Sequence, residues 1–218
     1  MIKGARSVSG NEAHLKDVYA ADGNASALSR SYDGWARDYD ADMSGWGYRH
    51  PSIIAGMVGR HAPSPQSVIL DAGCGTGVLG ETLAVLGYTA IDGIDLSEGM
   101  LQVAGSKGCY RDLKQQMLGD VLDFGTGSYD VIVSSGVMTP GHAPATCLHE
   151  LARILKPGGH MILTITEQAW TDSYGAAVTG LVTDETLSQR DESQRYVGLP
   201  GAPEAERLPA RVHVLRRT

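Results

Sequence analysis

Residues 66–77 read Gln-Ser-Val-Ile-Leu-Asp-Ala-Gly-Cys-Gly-Thr-Gly, and their order decides the fold. Val68, Ile69 and Leu70 form a short apolar run suited to a strand buried on both faces. Asp71 follows, and glycines then stand at 73, 75 and 77. The pattern changes at once to helical spacing, with Val78, Leu79, Leu83, Ala84 and Leu86 at three- and four-residue steps. Strand, glycine turn and helix make the shape of a loop that holds a nucleotide cofactor. Glycine adopts positive φ and admits a ligand where a Cβ would collide. The helix N-terminus adds unpaired N–H groups. Counting from Gly73, the sixth position is Val78, so the Gly-x-Gly-x-x-Gly spacing of a dinucleotide loop fails.

The chain has 218 residues, which suits one domain, or one domain with a lid. Its 42% apolar content supports a core and excludes global disorder. A net charge of −7 disfavours a nucleic-acid surface as the main partner. Cys74, Cys109 and Cys147 are odd in number and lack metal-ligand spacing, so they read as reduced thiols in a cytoplasmic setting, and no metal is expected. The first residues carry Lys3, Arg6, Glu12, Lys16 and Asp17 without an apolar run, so no signal peptide is expected. No stretch approaches the ~18 apolar residues of a membrane span.

The motif Asp-x-Gly-x-Gly-x-Gly resembles motif I of the class I S-adenosylmethionine (SAM) dependent methyltransferases. In that family the loop wraps the methionine part of SAM, which implies Asp71, Gly73, Gly75 and Gly77 as cofactor residues. Two other stretches resemble the same family. One is Tyr-Asp-Gly-Trp-Ala-Arg-Asp-Tyr-Asp at 32–40, followed by Gly47-Tyr48-Arg49-His50-Pro51. It is similar to the branch that holds the methyltransferase-like protein of the Williams–Beuren syndrome critical region and its relatives. The other is the turn Leu155-Lys156-Pro157-Gly158-Gly159. The resemblance runs from about Tyr32 through the strand after Lys156.

Residues 1–25 are polar and small, and the first ten are expected to lack fixed structure. Tyr32, Trp35, Ala36 and Tyr39 fall on one face of a helix expected over 29–43. The resemblance makes that helix a lid over the cofactor, with Tyr32, Trp35, Tyr39 and Arg49 at the site. Pro51 starts a helix, and Ala62-Pro63-Ser64-Pro65 closes it. The division expected is a tail and helical lid over 1–62 and a SAM-binding domain over 63–218.

A second strand over 89–96 ends in Asp95, 24 residues past Asp71. A carboxylate there can accept from both ribose hydroxyls. Asp92 is the fallback, and Leu96 and Met100 are expected beside the adenine. A third strand is expected at about 115–121. By the resemblance, Asp120 receives the adenine amino group and Val121 offers its backbone N–H. The fourth strand, 129–135, places Ser134 at the cofactor, and the loop after it carries His142 near the methyl group. His142 and Tyr48 are the candidate catalytic bases. A helix over 145–155 and a strand over 160–166 follow. Then come a helix over 169–187 and an antiparallel pair at 194–199 and 211–217. Glu167, Trp170 and Tyr174 are expected to border the substrate pocket.

The fold expected is α/β, a doubly wound, mostly parallel sheet of seven strands. The resemblance implies the order 3-2-1-4-5-7-6. The function expected is transfer of a methyl group from SAM to a small-molecule acceptor, yielding S-adenosyl-L-homocysteine (SAH). Alternatives are a SAM-binding protein with a non-methylating or regulatory role, a protein methyltransferase, and a nicotinamide-dependent oxidoreductase. The failed dinucleotide spacing speaks against the last. Ser134-Ser135-Gly136-Val137 after the fourth strand lacks an Asn/Asp-Pro-Pro-Tyr pattern, which disfavours base amino groups and glutamine amides. No membrane partner is expected, and the sequence assigns neither acceptor nor oligomeric state.

Overall fold

The structure, a computed structural model, describes residues 8–21, 23–62 and 64–218. Four helices precede the first strand: α1 (Val8–Ala20), α2 (Ala25–Trp35), α3 (Tyr39–Gly45) and α4 (His50–His61). Next come β1 (Ile69–Ala72), α5 (Val78–Val85), β2 (Ile91–Asp95), α6 (Glu98–Ser106), β3 (Asp112–Gln115), β4 (Tyr129–Met138), α7 (Cys147–Ile154) and β5 (Leu155–Thr166). A helical stretch follows, with α8 (Glu167–Ala169), a π-helical turn (Trp170–Tyr174) and α9 (Gly175–Thr183). The chain ends with β6 (Leu187–Glu192), β7 (Tyr196–Val197), a 3-10 turn (Glu204–Glu206) and β8 (Pro209–Arg217).

The strands form one sheet of order β3-β2-β1-β4-β5-β8-β6, with the two-residue β7 also on β8. The first five strands are parallel and stand in the expected order, while β8 runs antiparallel to β5 and β6 antiparallel to β8. Side chains alternate across the sheet, so Ile69 faces α4 and α5 while Leu70 faces α7 and α9. Every β1 side chain is buried, as a central parallel strand covered on both faces requires. A third apolar cluster lies above the carboxyl ends of the strands, where α1–α3 gather Leu15, Val18, Trp35, Met43 and Trp46. Helix α4, on the lid side of the expected boundary at 62, packs Ile54, Met57 and Val58 on the sheet.

Several expected boundaries are corrected. Residues 29–43 form two helices, because the chain turns at 36–38. The turn lets the Trp35 indole donate to Asp42 Oδ2 at 2.8 Å. The third strand is Asp112–Gln115, an edge strand with no buried residue, and the apolar residues at 117–118 belong to the loop beyond it. The helix expected to reach 187 ends at Thr183, Glu185 reverses the chain at φ 61°, and Leu187–Glu192 pairs with β8. The pair expected at 194–199 and 211–217 is thus the shorter β7 on β8, and β6 takes the outer place, so the main path of seven strands keeps the expected 3-2-1-4-5-7-6 pattern with β7 as an eighth strand beside it. Of the ten residues expected to lack structure, 1–7 lie outside the described residues, as does Pro63, and Val8–Gly10 open α1. Among the described residues no helix is long and apolar enough to cross a membrane.

Candidate active site

In a parallel sheet the strand order reverses where consecutive connections leave to opposite sides, and a crevice opens at the carboxyl ends there. Here that point lies between β1 and β4. A cavity of about 340 Å³ occupies it. Gly73 and Gly75 form one wall, Asp95, Leu96 and Met100 a second, and Gln116–Leu118 with Pro144 a third. Gly73 has φ +79°, and a Cβ there would lie 2.3 Å from Val137 Cγ2, so the loop needs glycine at this place.

Two carboxyl groups, Asp71 buried and Asp95 half-buried, serve this cavity and the recess beside it. Asp71 is fully buried; its Oδ2 accepts from Tyr110 Oη at 2.7 Å, and its Oδ1 has no hydrogen-bond partner. Burial pushes its pKa up to about 7, against the lowering effect of the Tyr110 hydroxyl. Asp95 Oδ2 accepts from the Gly75 amide at 2.8 Å, and Oδ1 from the Ser97 amide at 2.9 Å. Burial raises this group too, and those backbone donors hold it down. Each carboxylate oxygen keeps a lone pair for a ligand hydroxyl. Gln116 Oε1 accepts from the Asp123 amide at 2.7 Å, which leaves Nε2 buried and unpartnered at the cavity wall.

The cap closes the cavity with Leu28, Tyr32 and Tyr39. Two aspartates hold it down. Asp33 Oδ1 accepts from Ser97 Oγ at 2.6 Å and the Gly99 amide at 2.9 Å, at the N-terminus of α6. Asp40 accepts from Thr76 Oγ1 at 2.5 Å and pairs with Lys107 Nζ at 2.7 Å. A second, narrower pocket of about 60 Å³ lies between cap and sheet. It shares Tyr32, Tyr39, Gly136 and His142 with the first cavity and adds Tyr19, Tyr48, His50 and Glu206.

Comparison with known proteins places this geometry. The model of a methyltransferase domain family matches residues 70–163. The human methyltransferase-like protein 27 is 31% identical over 175 residues, which cover 79% of this chain and 69% of that protein. The chain belongs to the class I SAM-dependent methyltransferases. A ubiquinone biosynthesis O-methyltransferase of Thiobacillus denitrificans is 34% identical over 56% of this chain, and the chain spans about half of it, 54%. A methyltransferase crystallised with the Haloferax volcanii Trm112 activator superposes with a TM-score of 0.66 at 19% identity, covering 87% of this chain and 96% of that one. That likeness concerns the fold.

The methyltransferase brings Gly73, Gly75, Asp95, Leu96, Met100, Tyr32, Tyr39 and His142 to the cavity wall. Other expected positions stand elsewhere. Asp120 and Val121 are exposed, Val121 at 85%, because β3 ends early and the following turn presents Gln116–Leu118 instead. Ser134 is buried and donates to the Ala72 carbonyl at 2.7 Å, which ties β4 to β1. Gly77 caps α5, and a Cβ there would meet Tyr110 at 2.9 Å, so its smallness serves packing. Trp35 lies in the cap core and lines the second pocket. Arg49 lines neither space; its amide donates to the Gly198 carbonyl. Asp92 pairs with Arg111, and Trp170 stacks on His213 at 4.2 Å. Glu167 pairs with Arg195, and Tyr174 Oη donates to the Ala143 carbonyl beneath the cavity rim.

Of the two candidate bases, His142 has Nε2 on Tyr32 Oη at 2.9 Å and Nδ1 on the Pro140 carbonyl at 3.1 Å, and burial lowers its pKa. Tyr48 Oη lies 3.1 Å from Ser135 Oγ, and burial pushes its pKa up to about 12. The sequence reading passed over His50, Tyr196, Gln116 and Glu206. For Gln116 a signal existed, since residues just past a strand's carboxyl end face the crevice. Among the described residues no three His, Cys, Asp or Glu side chains are placed to hold a metal.

Proposed function

We propose that this methyltransferase moves the methyl group of SAM to a small-molecule acceptor held in the pocket under the cap. The observation that carries the reading is the shared lining of Tyr32, Tyr39, Gly136 and His142, which sets a second, narrow pocket directly beside the first under the cap. A pocket of about 60 Å³ is of a size for a small group rather than for a folded protein surface. A relative named for O-methylation in ubiquinone biosynthesis supports the same class of acceptor.

SAM supplies a methyl group already activated on a sulfonium and leaves as the neutral thioether SAH. The chain's own part is to bind, align and exclude water. Asp71 and the loop at Gly73 and Gly75 hold the methionyl end, where the unpartnered Asp71 Oδ1 suits an ammonium or its water. Asp95 would hold the ribose hydroxyls, Leu96 and Met100 would flank the adenine, and the unpartnered Gln116 amide would donate to it. α1–α3 act as the lid, with Tyr32 and Tyr39 set against the reacting face. Holding acceptor and methyl in line supplies roughly 7–11 kcal/mol of the barrier without a covalent step. The unpaired Cys74, Cys109 and Cys147 accord with a reducing, cytoplasmic setting.

The test is incubation with methyl-labelled SAM and a cell extract split into a low-molecular-weight filtrate and a macromolecular fraction. Label in a small product, formed only with enzyme, is the expected outcome. Label in protein or RNA alone refutes the acceptor class.

A further inference from the structure

The second pocket holds a histidine that the cofactor cavity does not. His50 opens α4, is 8% exposed, and lines the pocket beside Tyr48 and Gly136. Its ring Cδ2 lies 3.6 Å from where a Gly136 Cβ would stand, and Gly136 is part of the wall shared with the cofactor cavity. Nδ1 lies 2.7 Å from Tyr196 Oη, 146 residues away on β7. Nε2 makes no hydrogen bond among the described residues, and a Cβ at Gly198 would stand 2.3 Å from it. Glycine at 198 therefore lets the backbone pack directly against the imidazole, while His50 itself lines the pocket.

A phenol oxygen can accept from Nδ1–H whether the ring is neutral or protonated. In the tautomer whose Nδ1–H donates to Tyr196, the ring carries a lone pair on Nε2 and needs no rearrangement when Nε2 gains a proton. Burial holds the ring neutral, with a pKa lowered to about 4, and keeps Tyr196 a neutral phenol. Both ring nitrogens of His142 are already engaged, and Tyr48 stays protonated. The titratable rings set against His50 are Tyr48 and Tyr196, each with its centroid 5.4 Å away. Glu206, the carboxylate of this pocket, stands beside Tyr19 on the 3-10 turn.

We propose that His50, positioned by Tyr196, takes the proton of the acceptor, and that the acceptor is methylated at a hydroxyl group; this rests on the small-molecule reading above. The O–H bond breaks as its proton passes to Nε2. The oxygen electron pair forms the O–CH3 bond, the S–CH3 pair stays on sulfur, and the proton later leaves to solvent. A neutral amine or a thiolate attacks without such help, whereas a hydroxyl is a poor nucleophile until its proton is withdrawn. A neutral base in the pocket therefore suits a hydroxyl acceptor.

The first test needs no acceptor. Proton–nitrogen correlation spectra of the nitrogen-15-labelled full chain with bound SAH should show His50 with its proton on Nδ1. Tyr196→Phe should populate the other tautomer. His50 protonated on Nε2 in the wild type overturns the proposal. The second test uses labelled SAM with the low-molecular-weight filtrate. His50→Gln should lower kcat by about 100-fold with unchanged SAH affinity, and its rate should rise tenfold per pH unit where the wild type is flat. A merely structural role would not produce that slope. A wild-type rate in His50→Gln, the slope appearing in Glu206→Gln instead, or label on nitrogen or sulfur overturns the proposal while leaving the small-molecule reading intact. Label in macromolecules, or none at all with SAH bound, overturns that reading first and the proposal with it.

Discussion

On the proposed reading, in which Asp71 holds the cofactor's ammonium, this residue couples cofactor binding to a proton. In the free protein its pKa is pushed up to about 7, so at pH 6 about nine-tenths of the molecules carry a neutral carboxylic acid there. The ammonium of SAH, which stays protonated over this range, calls for the ionised form. If only that form binds, the competent fraction rises from about one in eleven at pH 6 to ten in eleven at pH 8. The apparent Kd for SAH should then fall about tenfold across those two units, or ~1.4 kcal/mol. Calorimetry at pH 7 in buffers of different ionisation enthalpy should register about half a proton released per SAH bound. His50, His142, His160 and His213 contribute little in this window, because burial moves them below their ordinary value. Asp71→Asn should bind more weakly and without the pH slope. Tyr110→Phe removes the hydrogen bond that lowers the group, so its slope should shift to higher pH. The same proton affects the free fold. Between about pH 4 and 7 this group binds more protons in the folded than in the unfolded state, so its own contribution to stability falls as pH rises, by up to ~4 kcal/mol in all, while the lowered histidines act in the opposite sense. SAH should reverse that fall. An SAH affinity flat from pH 6 to 8, with no buffer-dependent heat, would refute the reasoning.

Two further outcomes follow from the loop and the cap. Gly73→Ala places a Cβ 2.3 Å from Val137 Cγ2 in a backbone at φ +79°, so SAH affinity should drop at least about tenfold while circular dichroism stays that of a folded sheet; undiminished binding would contradict it. Asp33→Ala removes the acceptor for Ser97 Oγ and the Gly99 amide and should loosen the cap by ~1–2 kcal/mol, seen as faster amide exchange in α1–α3 with β1, β4 and β5 unchanged.

What could be read from the sequence was what local chemistry encodes. The run of Val68, Ile69 and Leu70, the glycines, and the helical spacing after them fix β1, its loop and α5 without help from distant residues. Asp95 was legible because a strand end fixes where its side chain goes. The edge strands were not. Asp112–Gln115 and Leu187–Glu192 are polar, and only the neighbouring strand makes them strands. α1 reads as a polar tail because its burial rests on Leu15 and Val18, which meet Trp35 and Met43 only in the folded cap. His50 stood in plain sight beside Pro51, yet its partner Tyr196 lies 146 residues on, and no spacing rule joins them.

The chemistry of the site also explains a property that no motif shows. Any good nucleophile within reach attacks a methyl group on sulfonium, so the walls near it must be poor ones. Tyr32 and Tyr39 line both spaces, and burial raises each well above an ordinary phenol. Cys74, in the recess beside Asp71, is held well above an ordinary thiol by burial and by the Asp95 and Asp71 carboxyls. All three therefore keep their protons at neutral pH, and a neutral phenol or thiol is a weak nucleophile. The imidazole on the shared wall, His142, has both nitrogens engaged, while His50 lines only the acceptor pocket. The same desolvation that keeps these side chains protonated keeps them from competing with an acceptor for the methyl group. Burial, which usually serves stability, here also protects the protein from methylating itself.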